Sequence, residues 1–215
     1  SPRNNSLRML PAYGLYPHER DPAVRVDAPR EGVAIPPHDA RWRAEGFRPW
    51  RYIVVHHSAT ARRSAAAFDK MHREQRGWDE LGYHFVITNG RGGPDGEVQV
   101  GSRWVSQKWG AHTGGTPDNA YNDYGIGICL VGDFREAMPT GKQLDALRRL
   151  VRWLAMRYGI KPGNVIGHRD APGAATACPG AKLERHVRYV LRPMVRRARR
   201  GPDGGAERKK QTGRP

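Results

Sequence analysis

The chain has 215 residues, of which 38% are hydrophobic, 27% are charged and 2 are cysteine. No window approaches the roughly 18 to 20 uninterrupted apolar residues of a membrane-spanning helix, and two cysteines exclude a bridge-dense secreted mini-domain. The formal charge of +16 is uneven: residues 185–215 hold 11 Lys and Arg against 2 Asp and Glu, while residues 51–184 hold 18 against 13.

Residues 1–48 carry Pro2, Pro11, Pro17, Pro22, Pro29, Pro36 and Pro37 with scattered charge and no sustained apolar period. They read as an irregular arm, either loose or wrapped on the domain through Leu10, Tyr13, Leu15 and Tyr16. From Arg51 the texture changes. Tyr52-Ile53-Val54-Val55 is the β-branched and aromatic run of a buried strand. Ser64 then caps a helix to Arg76, with Phe68, Met71 and His72 at helical spacing and Gly77 as its stop. Tyr83 to Thr88 is a second strand, closed by Asn89-Gly90, and Glu97 to Val100 a short third.

Ile126 to Val131 has the composition of a central strand. The clearest helix runs from Thr140 to Tyr158: Thr140 with Gln143 forms a capping box, and Leu144, Leu147, Leu150, Val151 and Leu154 make one apolar stripe. Val165-Ile166 is a short extended segment before Gly167-His168. A last helix from about Lys182 presents Leu183, Val187, Val190, Leu191 and Met194 to a core and runs into the basic tail. Strands interleaved with helices predict an α/β or α+β fold, a central mixed sheet flanked by helices.

Among nine histidines, three places stand out: His56-His57 at the end of a buried strand, His112 in Gly110-Ala111-His112-Thr113, and His168 in His168-Arg169-Asp170, upstream of Cys178-Pro179-Gly180. Strand ends are where a rigid scaffold aims side chains at one point. Two imidazoles and a thiolate from His56, His168 and Cys178 would leave the fourth tetrahedral position of a zinc ion open, as catalytic sites do. On the residues alone, a Cys129–Cys178 bridge or two buried thiols are equally admissible.

Six motifs occur in one order. They are Ile53-Val54-Val55-His56-His57-Ser58-Ala59-Thr60, Gly77-Trp78-Asp79-Glu80-Leu81-Gly82-Tyr83-His84-Phe85, Gly110-Ala111-His112, Asn122-Asp123 with Gly125-Ile126-Gly127-Ile128, Gly167-His168-Arg169-Asp170, and Ala177-Cys178-Pro179-Gly180. Together they resemble the type 2 class of zinc-dependent N-acetylmuramoyl-L-alanine amidases, which includes phage amidase lysozymes and peptidoglycan recognition proteins. The resemblance covers residues 50 to 182.

The resemblance implies Zn2+ as cofactor with His56, His168 and Cys178 as ligands, and His57 as a supporting neighbour. It implies Tyr83 as the catalytic tyrosine and Thr176 as a second polar group near the chemistry. It places His112, Asn122, Trp78 and Arg103 in the substrate groove; Gly77-Trp78 resembles the pair of relatives that prefer meso-diaminopimelate stems, although Ser102 intervenes between Gly101 and the companion Arg103. One branch carries a general-base glutamate where this chain has Cys129, which reads as core.

The activity implied is hydrolysis of the amide between N-acetylmuramic acid and L-alanine in peptidoglycan, the alternative being a module that binds muropeptide without cutting it. The implied division is an arm over 1–48, a zinc amidase domain over 49–198 and a basic tail over 199–215. The tail is expected to contact anionic wall polymer or a membrane surface. No stacking platform or helix-turn-helix accompanies it, so no specific nucleic-acid partner is expected. Action outside the cytoplasm is expected from the implied substrate, with no signal peptide within this chain, and a monomer is expected.

Overall fold

A computed structural model describes Val33 and residues 37–200. Five strands form one sheet: β1 (Tyr52–His57), β2 (Phe85–Ile87), β3 (Val98–Val100), β4 (Gly125–Leu130) and β5 (Val165–Gly167), in the order β3-β2-β4-β1-β5. β4 pairs in parallel with β1 and β2, β1 in parallel with β5, and β3 closes one edge antiparallel to β2. The sheet is thus mixed and flanked by helices.

Parallel neighbours require crossovers, and the long helices supply two of them. α1 (Ala65–Arg76) links β1 to β2; Ser64 accepts from the Ala67 N–H at its start and Gly77 ends it at φ 65. Two single-turn helices, α2 (Ser102–Val105) and α3 (Ala120–Asp123), fall between β3 and β4. They are too short for a hydrophobic period to announce. α4 (Gly141–Arg157) links β4 to β5, with the Thr140–Gln143 capping box formed. Gln143 is buried, and its Nε2 donates to the carbonyls of Ile87 and Val131, so the helix start is tied to the ends of β2 and β4.

The C-terminal helix is interrupted. α5 (Ala181–His186) passes through a π turn at Val187–Leu191 into α6 (Arg192–Arg200). The extra residue of a π turn rotates the downstream face, which leaves Tyr189 72% exposed and Val190 38% exposed while Leu191 and Val195 stay buried. Val190, expected on the core face, is therefore on the outside.

Side chains alternate across each strand. Ile53 and Val55 of β1, Phe85 and Ile87 of β2, and Ile126, Ile128 and Leu130 of β4 share the main core with Leu147, Leu150, Val151 and Leu154 of α4. Val54, Val86 and Cys129 belong to smaller clusters on the opposite face, where α1 contributes Phe68. His56 is in phase with Val54 and paired in register with Cys129. The candidate site therefore lies on the α1 face, at the carboxyl ends of β1 and β5, where open α/β sheets present ligand sites.

The segment expected as an arm is partly built into the domain. Trp42 is 1% exposed, its ring 5.5 Å from that of Trp153, and its carbonyl accepts from Trp104 Nε1. Arg48 Nε donates to the Asp123 carbonyl. A large apolar ring gains more from burial than the irregular chain around it loses, so Trp42 and, with it, Arg48 are buried in the domain. The arm before residue 37, Val33 apart, and the tail from 201 lie outside the described residues. No helix among the described residues is long and apolar enough to cross a membrane.

Candidate metal centre

β1 carries His56 as its last residue but one and β5 runs directly into His168, so two neighbouring strands deliver two imidazoles side by side, with ring centroids 4.7 Å apart. Cys178 arrives on the loop before α5. Its N–H donates to Thr176 Oγ1 at 3.1 Å and its carbonyl accepts from the Arg169 N–H, which clips the cysteine loop to the His168 turn. His56 Nδ1 lies 3.6 Å from Cys178 Sγ, and one donor atom from each of His56, His168 and Cys178 lies within 4.8 Å of the others. This is the one such group of three among the described residues.

The arrangement fits zinc. Zinc–sulfur and zinc–nitrogen bonds of about 2.3 and about 2.0 to 2.1 Å at a tetrahedral angle give a nitrogen–sulfur edge of about 3.6 Å, the separation found between His56 and Cys178. Both cysteines are free thiols, which removes the bridge reading. Burial pushes the Cys178 thiol up to about 12, and its hydrogen-bond donor is the His57 N–H at 3.4 Å. A thiolate at that place requires a cation beside it.

Burial also keeps the imidazoles neutral, as metal ligation demands. His56, 1% exposed, is held well below the usual histidine range, first by burial and then by His112 and His168. His168 is lowered to about 4 by burial. Burial is also the first cause of lowering for His57, His72, His84, His112 and His186. The unfolded chain, with histidines at about 6.5, takes up protons that the fold refuses. Their contribution to stability is complete above that value and is lost as pH falls from about 6.5 toward 4. Glu184 and Asp123, both raised by burial, oppose this as two groups against seven histidines. Urea midpoints of the chelated protein are expected to fall steadily between about pH 7 and about pH 5.5; a flat profile contradicts the buried neutral cluster.

Tyr83 stands against this centre, its ring 5.2 Å from that of His56 and flanked by Phe68 and His72. Burial lifts its pKa well above the ordinary tyrosine value, and the nearby Cys129 and Cys178 add to this, so it is a neutral donor. Cys129 is buried among Phe68, Leu81, Val86 and Val131. His57 faces the other side of β1, where its Nδ1 accepts from the Phe134 N–H at 3.2 Å and lies 3.7 Å from Asp133.

Other expected site residues have different occupations. His112 is buried against His56, with Nδ1 and Nε2 both engaged. Asn122 uses its whole amide internally: Oδ1 accepts from the N–H groups of His112 and Thr113, and Nδ2 donates to Thr113 O and Asn119 Oδ1. Arg103 is 3% exposed; Nε donates to Leu81 O and Nη1 to Trp109 O, with Glu80 at 4.0 Å. A guanidinium inside the fold must be matched by acceptors, and these fix it as a brace of the Leu81 and Trp109 loops. Trp78 is half-buried, its ring 4.7 Å from that of His72 with Arg76 over one face at 5.1 Å.

Sequence reasoning missed Gly110 and Gly127 as makers of space. A Cβ on either would come within 2.3 Å of the His112 ring. Glycine inside a fully buried strand marks such a close approach, and Gly127 carried that signal. Gly127→Ala is expected to lower the thermal midpoint and, by displacing His112, the zinc affinity of the folded fraction; differential scanning calorimetry and chelator competition check both. A variant with wild-type values for both contradicts this packing.

Residues 46–181, more than half of the chain, match the family described as N-acetylmuramoyl-L-alanine amidase. The chain belongs to this amidase family. Peptidoglycan-recognition protein LB of Drosophila melanogaster is 31% identical over 145 residues, which cover 63% of this chain and 56% of that protein. The N-acetylmuramoyl-L-alanine amidase of Mus musculus is 32% identical over 164 residues, 66% of this chain and 28% of its own. The chain thus spans about half of the first relative and less than a third of the second.

Among solved structures, the endolysine amidase LysCS of Clostridium intestinale is similar at a TM-score of 0.53 and 30% identity, over 63% of this chain and 78% of that one. Bumblebee PGRP-SA is similar at 0.54 and 29%, over 71% and 93%. A complex of the recognition proteins PGRP-LCa and PGRP-LCx, which holds tracheal cytotoxin, is similar at 0.53 and 27%, over 70% and 93%. The family and its fold are therefore peptidoglycan-related amidase and recognition-protein ones.

Proposed function

We propose that the chain is a zinc-dependent peptidoglycan hydrolase that cuts the amide between the lactyl group of N-acetylmuramic acid and L-alanine of the stem peptide. The observation that carries this reading is the convergence of His56, His168 and Cys178 donor atoms within 4.8 Å of one another, with the Tyr83 ring against His56. Zinc held by these three residues supplies Lewis acidity to the scissile carbonyl and to a water. Tyr83, kept neutral by burial, donates a hydrogen bond to the carbonyl oxygen as negative charge builds there. Thr176, half-buried, holds the Cys178 N–H and so the sulfur's approach. Trp78 is left as the candidate groove residue with an exposed portion; His112, Asn122 and Arg103 support the walls from within.

Purified sacculi incubated with the zinc-loaded protein are expected to release free stem peptides, with release abolished by chelation and restored by zinc. Muropeptide binding without release, at stoichiometric zinc, selects the recognition reading instead. On this reading the protein works outside the cytoplasm, where the substrate lies, and we propose that it does so as a monomer.

The basic C-terminus is the proposed wall contact. Arg196, Arg197 and Arg200 are exposed on α6, and Arg208, Lys209, Lys210 and Arg214 follow. Arg199 is different, since its Nη1 donates to the Gly159 carbonyl at 2.6 Å, so a clean truncation falls after Arg200. Removal of 201–215 is expected to let the protein elute from anionic walls at lower salt, with hydrolysis of soluble muropeptide unchanged. An unshifted salt profile removes the tail from wall adsorption.

A further inference from the structure

His112 stands directly behind His56, in the gap that Gly110 and Gly127 leave. Its Nε2 lies 3.1 Å from the Gly125 carbonyl oxygen. A carbonyl only accepts, so that nitrogen carries the proton, and the neutral ring then has its lone pair at Nδ1. Facing that lone pair are His56 Nε2 at 3.1 Å and Thr113 Oγ1 at 2.8 Å. A nitrogen that meets a lone pair at this distance must bring a proton. His56 is therefore protonated at Nε2, and its Nδ1, 3.6 Å from Cys178 Sγ, is bare.

We propose that His112 is a positioning residue: the Gly125 carbonyl, through His112, fixes His56 in its Nε2–H tautomer and so aims a free Nδ1 lone pair at the metal. The proposal rests on the metal-centre reading above and extends it to how the ligand is prepared before any ion arrives. Each link is held from behind. Gly125 is the first residue of β4, the central strand of the sheet and one of the two partners of β1. The backbone around His112 is clamped by Asn122 Oδ1, which accepts the N–H groups of both His112 and Thr113 at 2.9 Å. Ring rotation of His112 is closed off by the two glycine faces, which leave no room even for a methyl group. A ligating histidine whose second nitrogen is satisfied keeps one orientation and one tautomer, and loss of such a partner typically lowers metal affinity ~10- to 100-fold.

The test begins on the chelated wild-type protein labelled with 15N-histidine, in which two-bond nitrogen–proton correlations report the tautomer of each ring. His56 is expected as Nε2–H; His56 found as Nδ1–H overturns the proposal. His112→Phe keeps a flat ring in the glycine gap but has no acceptor, and is expected to mix the His56 tautomers and to weaken zinc ~10- to 100-fold in chelator competition. His112→Asn returns an acceptor oxygen close to the place of Nδ1 and is expected to recover most of the affinity and the single tautomer. A folded His112→Phe protein with unchanged zinc affinity and an unmixed His56 overturns the proposal. If His112→Phe fails to fold, the wild-type spectrum and the Asn variant decide. A wild-type protein that binds no zinc sinks the metal-centre reading, while the His56 tautomer still reports on the relay.

Discussion

Cys178→Ser is expected to leave a folded chain that retains no zinc through dialysis and releases no stem peptide from sacculi. The fold survives because the loop is held by its backbone. The Cys178 N–H still reaches Thr176 Oγ1, its carbonyl still accepts from Arg169, and the Gly180 N–H still reaches the Ala177 carbonyl. The metal does not survive, because an alcohol resists deprotonation far more than a thiol, and the sulfur supplies the only negative charge in a set of two neutral imidazoles. Loss of an inner ligand is expected to exceed the ~10- to 100-fold of an outer partner. Metal analysis and peptide release are the measurements; wild-type zinc content in the variant would falsify the assignment of the sulfur. Retained muropeptide affinity alongside lost turnover is the expected companion result, since nothing else in the site has moved.

Tyr83→Phe separates chemistry from assembly. The ring is held by Phe68, His72 and His56, so removing the hydroxyl leaves the packing in place. Zinc content and KM are expected to stay near wild type while kcat falls ~10²- to 10³-fold, the cost of one preorganised donor to a developing oxyanion. An unchanged kcat would mean that the tyrosine serves the site only as a wall.

Much of the scaffold is legible in the chain because its signals are local. The Thr140–Gln143 box, the apolar stripe of α4, the Ser64 cap and the Gly77 stop each depend on residues within a few positions, and each is formed. The turns of α2 and α3 are fixed by tertiary contacts instead. So is Trp42, which lies in a proline-rich stretch and finds Trp104 and Trp153 far along the chain. The site divides in the same way. Motif order points to the three donors, and the fold brings them together.

The occupations of His112, Asn122 and Arg103 are a different matter. A motif gives a residue's place along the chain and is silent on which way its side chain turns once β4 and the preceding loops close over it. Arg103 shows the rule most simply: two backbone carbonyls offered by its neighbours decide that it faces inward. Gly127 inside a fully buried strand was the sign of a bulky group pressed on that strand, visible in the letters yet without a partner until the ring of His112 was located.

The adjacent histidines that end β1 illustrate what a pleat does to a duplicated letter. They are not spares for one another. His56 turns toward sulfur and a second imidazole, whereas His57 turns to Phe134 and the opposite layer. Sliding β1 forward by a single position along β4 would put Val55 in the place of His56 and turn His56 to the opposite layer, leaving an aliphatic side chain among the donors. The doubling thus makes the centre hostage to strand alignment, and an insertion ahead of Tyr52 that propagates into the strand would erase it without altering any of its residues.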